Sequence, residues 1–423
     1  MPSETDLLRH LDDEPGVPST VSIERAIAAG RRRRRRCRAT GYAGAAVLTA
    51  AAVAGGVALA GGPARHTAVT ATTPKPSPSR TTVAPKPAYH IPGTTGFVAP
   101  AAEAPTSCAI ERLAVPGNVS MALISGADPT GQYLVGRSYP HDGYQAVIWH
   151  NGTGRNVMLP GDLEEGLNDV NSAGEAVGFS YLDDGNGEAI SLPYAYRNGK
   201  VVKLKGVEQG HANAINNAGA IVGDDDGRRA AVVWPSSSAD PVRLPAPKGT
   251  GEATASDIDE DGTTVGNLDL KVPYVWFPDG THHALPLPRH NGAKAVSARV
   301  FSIRNGIAVG VADRTDQSRT GAGKPEDMWV VRWNVRTGES AIVTDVAPPP
   351  NGSNAHGWLV GTDRNGRAVL STGGRTVVLP ELVQRKPDGL STIPNQVSDD
   401  GRLIAGQSDD AGGTIHAVIW RCR

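Results

Sequence analysis

Four stretches of the chain read alike: DVNSAGEAVGFS (169–180), AINNAGAIVGDD (214–225), DIDEDGTTVGNL (257–268) and QVSDDGRLIAGQ (396–407). Each begins with a short alternating run, passes through a polar turn ending in glycine, and continues into apolar residues closed by a second glycine. Weaker copies are GADPTGQYLVGR (126–137), SIRNGIAVGVA (302–312) and NAHGWLVGT (354–362). The second glycines fall at 136, 178, 223, 266, 310, 361 and 406. Seven copies with a period in the forties are the mark of propeller blades.

Every copy continues in one way. A third strand follows as AVIW (146–149), YAY (194–196), AVVW (231–234), YVW (274–276), VVRW (330–333) or AVIW (417–420), and a fourth ends near Leu159-Pro160, Leu244-Pro245, Leu285-Pro286 or Leu379-Pro380. Short strands bounded by turn residues predict four strands per repeat. The turn glycines (131, 174, 219, 262, 306, 357 and 401) suit hairpins that need positive φ. The recurring Trp is expected to fill the wedge between blades. The copy near Gly361 has Leu370 in that place and is the weakest. The expected fold is all-β, a seven-bladed β-propeller of four-stranded antiparallel blades. Gly (51) and Pro (32) are abundant and aromatics make up 5%, which agrees with many turns around an aliphatic core.

HAVIW (416–420) and AINNAGAIVG (214–223) resemble the extracellular HAF-repeat family, whose repeats carry a His-Ala-Phe-like strand and an Ile-Asn-Asp-x-Gly-x-Val-Val-Gly-like hairpin. Val replaces the Phe throughout, and one copy keeps the His. The resemblance implies a β-propeller outside the cytoplasm and carries over no catalytic residue.

Counting strands shows where the ring closes. The seventh repeat has its third strand at HAVIW and lacks a fourth, whereas CAIERLAVP (108–116) precedes the first repeat as an orphan strand. Pairing the two completes the last blade from both termini. Cys108 and Cys422 then stand where a hairpin loop would be, and a disulfide between them is expected; two separate thiols are the alternative. The third cysteine, Cys37, follows six arginines, and an oxidising exterior with a reducing interior would separate it from the pair.

The preceding hundred residues differ in composition. Residues 1–38 form a basic segment ending in RRRRRRCR, and residues 39–62 are an uncharged Ala/Gly-rich run long enough to cross a bilayer as one helix. The arginines predict a cytoplasmic N-terminus. The competing reading is a secretion signal cleaved near Ala60, leaving a secreted domain. Residues 63–107, rich in Pro, Thr, Ser and Ala, read as a disordered stalk. The propeller then occupies 108–423 in the extracytoplasmic space.

Chemical motifs are sparse. Net charge is −1, which removes any general pull toward nucleic acid. DIDEDG (257–262) begins like a calcium loop, but Leu268 stands where its final Glu belongs, so turn chemistry accounts for it. TGAGKP (320–325) lacks the residues that complete a phosphate loop. No catalytic motif, metal set or cofactor is expected. The loops between second and third strands, and between blades, share one face. That face gathers Asp183, Asp184, Asp224, Asp225, Asp226, Asp313, Asp316, Asp409, Asp410, His141, His211 and His290. Asn168, Asn213, Ser256 and Asn395 are expected to begin inner strands at the channel. The leading functional expectation is a binding module for an extracellular protein or glycan. The alternatives are a hydrolase or lyase acting on envelope glycans or small esters at the central channel, and signalling through residues 1–36.

Overall fold

The computed structural model describes residues 89–140, 143–161, 164–183, 189–314, 327–383 and 392–423. The basic segment, the apolar segment, residues 63–88 of the stalk, His141, Asp184 and Asp316 lie outside the described residues.

Seven antiparallel blades follow one another along the chain. Blade 1 is Ala122–Ala127, Tyr133–Ser138, Gln145–His150 and Thr153–Val157, and blades 2 to 5 begin at Glu165, Gly210, Ala253 and Ser297. Blade 7 joins Thr392–Val397, Leu403–Asp409 and Ile415–Cys422 to Cys108–Arg112 from the other end of the domain. Cys108 lies opposite Cys422 in that ladder, and the two are disulfide-bonded. Blade 6 departs from the pattern, with three strands (Leu359–Thr362, Ala368–Ser371 and Thr376–Val378). Prolines 348–350 offer no N–H to a ladder. The inner edge is therefore carried by Asn351 N donating to Val360 O and Val360 N to Gly352 O, with one isolated bridge between Ser353 and Leu359.

The repeat has a local cause. The inner strands of blades 1 to 5 and 7 each carry a bulge, at Ser125, Asn168, Asn213, Ser256, Phe301 and Asn395. The bulge presses the inner backbone against the second strand. A Cβ on Gly136, Gly178, Gly223, Gly266, Gly310 or Gly406 would lie 1.9–2.2 Å from an inner-strand carbonyl oxygen. That contact is why the second glycine recurs. The turn glycines have φ between 69° and 89°, as the hairpin reading requires.

Asn168, Asn213 and Asn395 therefore sit within their strands, at the bulges, instead of at strand starts. Each reaches the next blade. Asn168 Nδ2 donates to Ala212 O, Asn213 Nδ2 to Ala255 O, and Asn395 Nδ2 to Ile124 O, at 2.7–2.9 Å. Asn267 and Asn351 make the equivalent bonds to Val300 O and Pro394 O. Every acceptor is the residue just before the next blade's bulge, so the amides stitch the inner ring together.

The outer seams use tryptophan. Trp149, Trp234, Trp276, Trp333 and Trp420 are completely buried. Their Nε1 atoms donate to Ala114, Lys205, Pro245, Pro286 and Pro380 carbonyls at 2.6–2.9 Å. Each acceptor follows the leucine that comes directly after the preceding blade's outer strand. The Leu-Pro and Trp signatures are thus two halves of one joint. Two third strands lack Trp: Tyr196 takes the position in blade 2, and in blade 6 the register gives it to Ser371, while Leu370, expected there from the sequence, points the other way into the cluster that holds Trp420.

Composition placed residues 89–107 in the disordered stalk, but they pack on the ring. Tyr89 and Ile91 are buried in the seam of blades 3 and 4 among Ala214, Val222, Ile258 and Trp276. Tyr89 Oη donates to Thr281 O. The segment then crosses the face carrying the inner hairpin turns. Asn216 Nδ2 donates to Pro92 O, Thr94 N to Glu260 O, and Pro100 O lies 2.9 Å from His356 Nε2. It ends at blade 7, where Thr106 N donates to Arg423 O. Two apolar anchors and scattered hydrogen bonds hold this strap, too few to register in a Pro/Thr-rich composition.

Candidate functional site

The inner strands carry side chains toward the axis from several blades. Arg304, at the end of the blade 5 inner strand, places Nη1 3.0 Å from Glu260 of blade 4 and Nη2 3.1 Å from Asp399 of blade 7. Blade 6 is bypassed, so the guanidinium spans the middle of the base. Burial would lower its pKa, but Asp399 and Glu260 hold it above the ordinary value. Phe97 of the strap stacks near the same guanidinium at 5.9 Å.

Farther along the axis lie Asp169 and Asp257, each just after a bulge. Each has a half-buried side chain hemmed in by protein and holds the next part of the ring. Asp169 Oδ2 accepts from Ile215 N, and Asp257 Oδ2 accepts from Ile303 N. Burial pushes Asp169 up to about 7 despite those hydrogen bonds. It pushes Asp257 up to about 8, with the charge of Asp169 adding to the effect. At neutral pH these carboxyls thus hold protons to a large extent. Sequence reading passed over both. The signal was in the quoted repeats, where Asp169 and Asp257 share a position held by Ala214 and Gln396 in the other copies.

The opposite face holds three of the candidates together. His211 opens the blade 3 inner strand, Gly210–Ile215, and pairs in register with Asp224 at the end of Ile221–Asp225. Its Nδ1 lies 3.1 Å from Asp224 Oδ2 and 3.8 Å from Asp226 Oδ2. One donor atom from each of the three residues falls within 4.8 Å of the others. Asn213 Nδ2 donates to the second oxygen, Asp224 Oδ1, at 2.7 Å. On the far side of the imidazole, Tyr181 Oη is 3.5 Å from Nε2, and Phe179 meets the ring edge-on at 5.6 Å.

The electrostatics are set by crowding. Burial would lower the His211 pKa, but the hydrogen bond and charge of Asp224, with Asp226 beyond, leave it raised. Asp226 is pushed up to about 6 by burial and by Asp224, against the opposing pull of His211. Burial and Glu164 push the Tyr181 hydroxyl up to about 12, so it stays protonated.

The remaining candidates are dispersed. Asp225 points to the other side of its strand and binds Arg228, Nη1 to Oδ2 at 2.6 Å. His290 lies in a two-residue ladder, edge-on to Trp329 at 5.2 Å. Asp313 is buried and accepts from the Ser297 hydroxyl at 3.1 Å. Asp409 ends its strand beside Asp410, whose carboxylate is 2.8 Å from His416 Nε2. The side-chain amides of Asn168, Asn213 and Asn395 are engaged in the ring stitches described above. Tyr181 and Phe179 escaped the sequence reading because nothing local distinguishes a mouth aromatic from a seam aromatic.

No family model matches the chain and no curated protein does, so the resemblance to the HAF-repeat family has no support beyond the quoted strand and hairpin motifs. Among solved structures the chain is similar to virginiamycin B lyase from Staphylococcus aureus, at 11% identity and a TM-score of 0.48, over 74% of this chain and 99% of that one. It is also similar to an oligogalacturonate lyase from Vibrio parahaemolyticus, at 12% identity and a TM-score of 0.45, over 76% and 98%. A third is YCF48 bound to D1 peptide, at 11% identity and a TM-score of 0.43, over 79% and 97%. These likenesses concern overall shape and assign no role to any residue of this chain.

Proposed function

We propose that this protein is a binding module displayed outside the cytoplasm, tethered through residues 39–62, with the mouth of blades 2 and 3 as its ligand face. One observation carries the reading. The chain's own strap covers the base, whereas His211, Asp224 and Asp226 converge beside two aromatic rings at the other face. Loops on a rigid scaffold are where binding groups concentrate. The Cys108–Cys422 bond favours an oxidising compartment, which supports the extracytoplasmic placement. The ligand class is an extracellular protein or a glycan. Acids and an imidazole flanked by aromatic faces suit hydroxyl-rich or cationic groups.

The test presents full-length chain, held by its N-terminal end, with separated glycan and protein fractions of the cell envelope. Saturable binding lost in Asp226→Lys and kept in Val98→Glu, a strap position 83% exposed at the base, supports the assignment. The reverse pattern, or no saturable binding, overturns it.

A second reading, a hydrolase or lyase at the channel, is favoured by Asp169 and Asp257. Neutral carboxyls near pH 7 are the form a general acid needs. Their backbone bonds to Ile215 and Ile303 give them a structural duty as well. The binding reading therefore has the stronger support.

A further inference from the structure

We propose that His211 Nδ1, Asp224 Oδ2 and Asp226 Oδ2 form a site for a first-row divalent cation, zinc being the best match, with a fourth position open to solvent at the mouth. The donor set is one imidazole nitrogen and two carboxylates, which suits zinc better than calcium, whose sites are built from oxygen alone. With zinc–ligand bonds of about 2.0–2.2 Å, tetrahedral donors stand about 3.3–3.6 Å apart. The two distances from His211 Nδ1, 3.1 and 3.8 Å, bracket that edge.

The surroundings are arranged as an outer shell. A ligating histidine commonly directs its other ring nitrogen to a fixed partner. Here Nε2 faces Tyr181 Oη at 3.5 Å, leaving Nδ1 for the ion. Asn213 holds Asp224 Oδ1, which turns Oδ2 toward the same point. Among the described residues no lysine or arginine forms an ion pair with Asp224 or Asp226. A single imidazole then answers two carboxylates, and a divalent cation balances them better. His211 and Asp224 are buried, while the Asp226 side chain is 40% exposed, so the open position faces outward.

This site extends the binding reading without depending on it, because metal uptake is measured with no other ligand present. Full-length chain in detergent is stripped with a chelator and titrated with zinc by equilibrium dialysis, with cobalt as a spectroscopic probe. We expect one equivalent of zinc, and visible cobalt absorption of four-coordinate intensity. Asp226→Asn should weaken zinc at least tenfold and abolish the cobalt bands. His211→Gln should weaken zinc further. Asp226→Asn leaves the metal-free melting temperature within about 2 °C, because the residue is a partly exposed loop acid. Zinc should raise the melting temperature of the wild type and not of that variant. Equal uptake by wild type and Asp226→Asn, tighter binding of calcium than of zinc, or no stoichiometric uptake overturns the proposal.

Discussion

At the base of the ring, Arg304 lies between Glu260 and Asp399, while Asp259 accepts from the backbone of Asn305 and Gly306. At the mouth, Asp224 and Asp226 share one imidazole. Both regions crowd acids carried by the turns and strand ends of the repeats. At the base a guanidinium and backbone N–H groups satisfy them, and the result is a joint. At the mouth the neighbours are a histidine, the Asn213 amide, two aromatic rings and solvent, which is the setting of the cation site proposed above. Charge at a propeller's axis therefore has two uses, and the counter-charge separates them.

The sharpest way to break the contrast is Arg304→Met. Removing the cation leaves two buried carboxylates unpaired, and losses of this kind run about 3–5 kcal/mol. Chemical denaturation should show that loss, while zinc affinity at the mouth stays within a factor of two. A loss below about 1 kcal/mol would mean that the base is not a joint.

The strap offers the next test. Ile91→Ala empties a fully buried position, for which about 2–4 kcal/mol is usual. Limited proteolysis should then cut within residues 89–107 before it cuts any blade. Unchanged protection there would show that Ile91 does not fasten the strap.

The smallest expected effect concerns pH. Asp257 titrates near 4 when unfolded and at about 8 when folded, so the folded state carries the extra proton between those values. Folding stability from this group is thus greatest at low pH and declines as pH rises toward 8. Asp257→Asn removes that dependence, although losing one acceptor for Ile258 N or Ile303 N adds a constant offset. The stability difference between variant and wild type should drift in the variant's favour as pH rises from 4 to 8. A pH-independent difference would place the Asp257 carboxyl in the ordinary range.

What the sequence made legible follows from repetition. Bulge, close glycine, turn glycine and Trp–leucine joint each impose a residue type at a fixed place, and their recurrence in five or more of the seven blades makes the pattern visible. The two cysteines were legible because the strand count left a vacancy between them. Blade 6 was readable as a weak copy, but its reduced inner edge depends on which N–H groups prolines 348–350 cannot supply. The strap was not legible, since Tyr89 and Ile91 are two anchors in a segment whose composition otherwise matches a linker. At the mouth, the loop acids could be placed on one face. Their grouping with His211 depends on the strand register that sets His211 opposite Asp224, and strand alternation turns Asp225 away toward Arg228.

The strap also fixes how the ring answers a pull. Tension arriving from the N-terminal side meets Tyr89 and Ile91 first, at the seam of blades 3 and 4, and then peels residues 92–107 from the base one contact at a time. Beyond them the Cys108–Cys422 bond makes the blades a covalent hoop, which a pull at one end cannot unwind. The weakest link is therefore the cover over the base, and stretching would bare Arg304 and its two acids while the seven blades stayed closed.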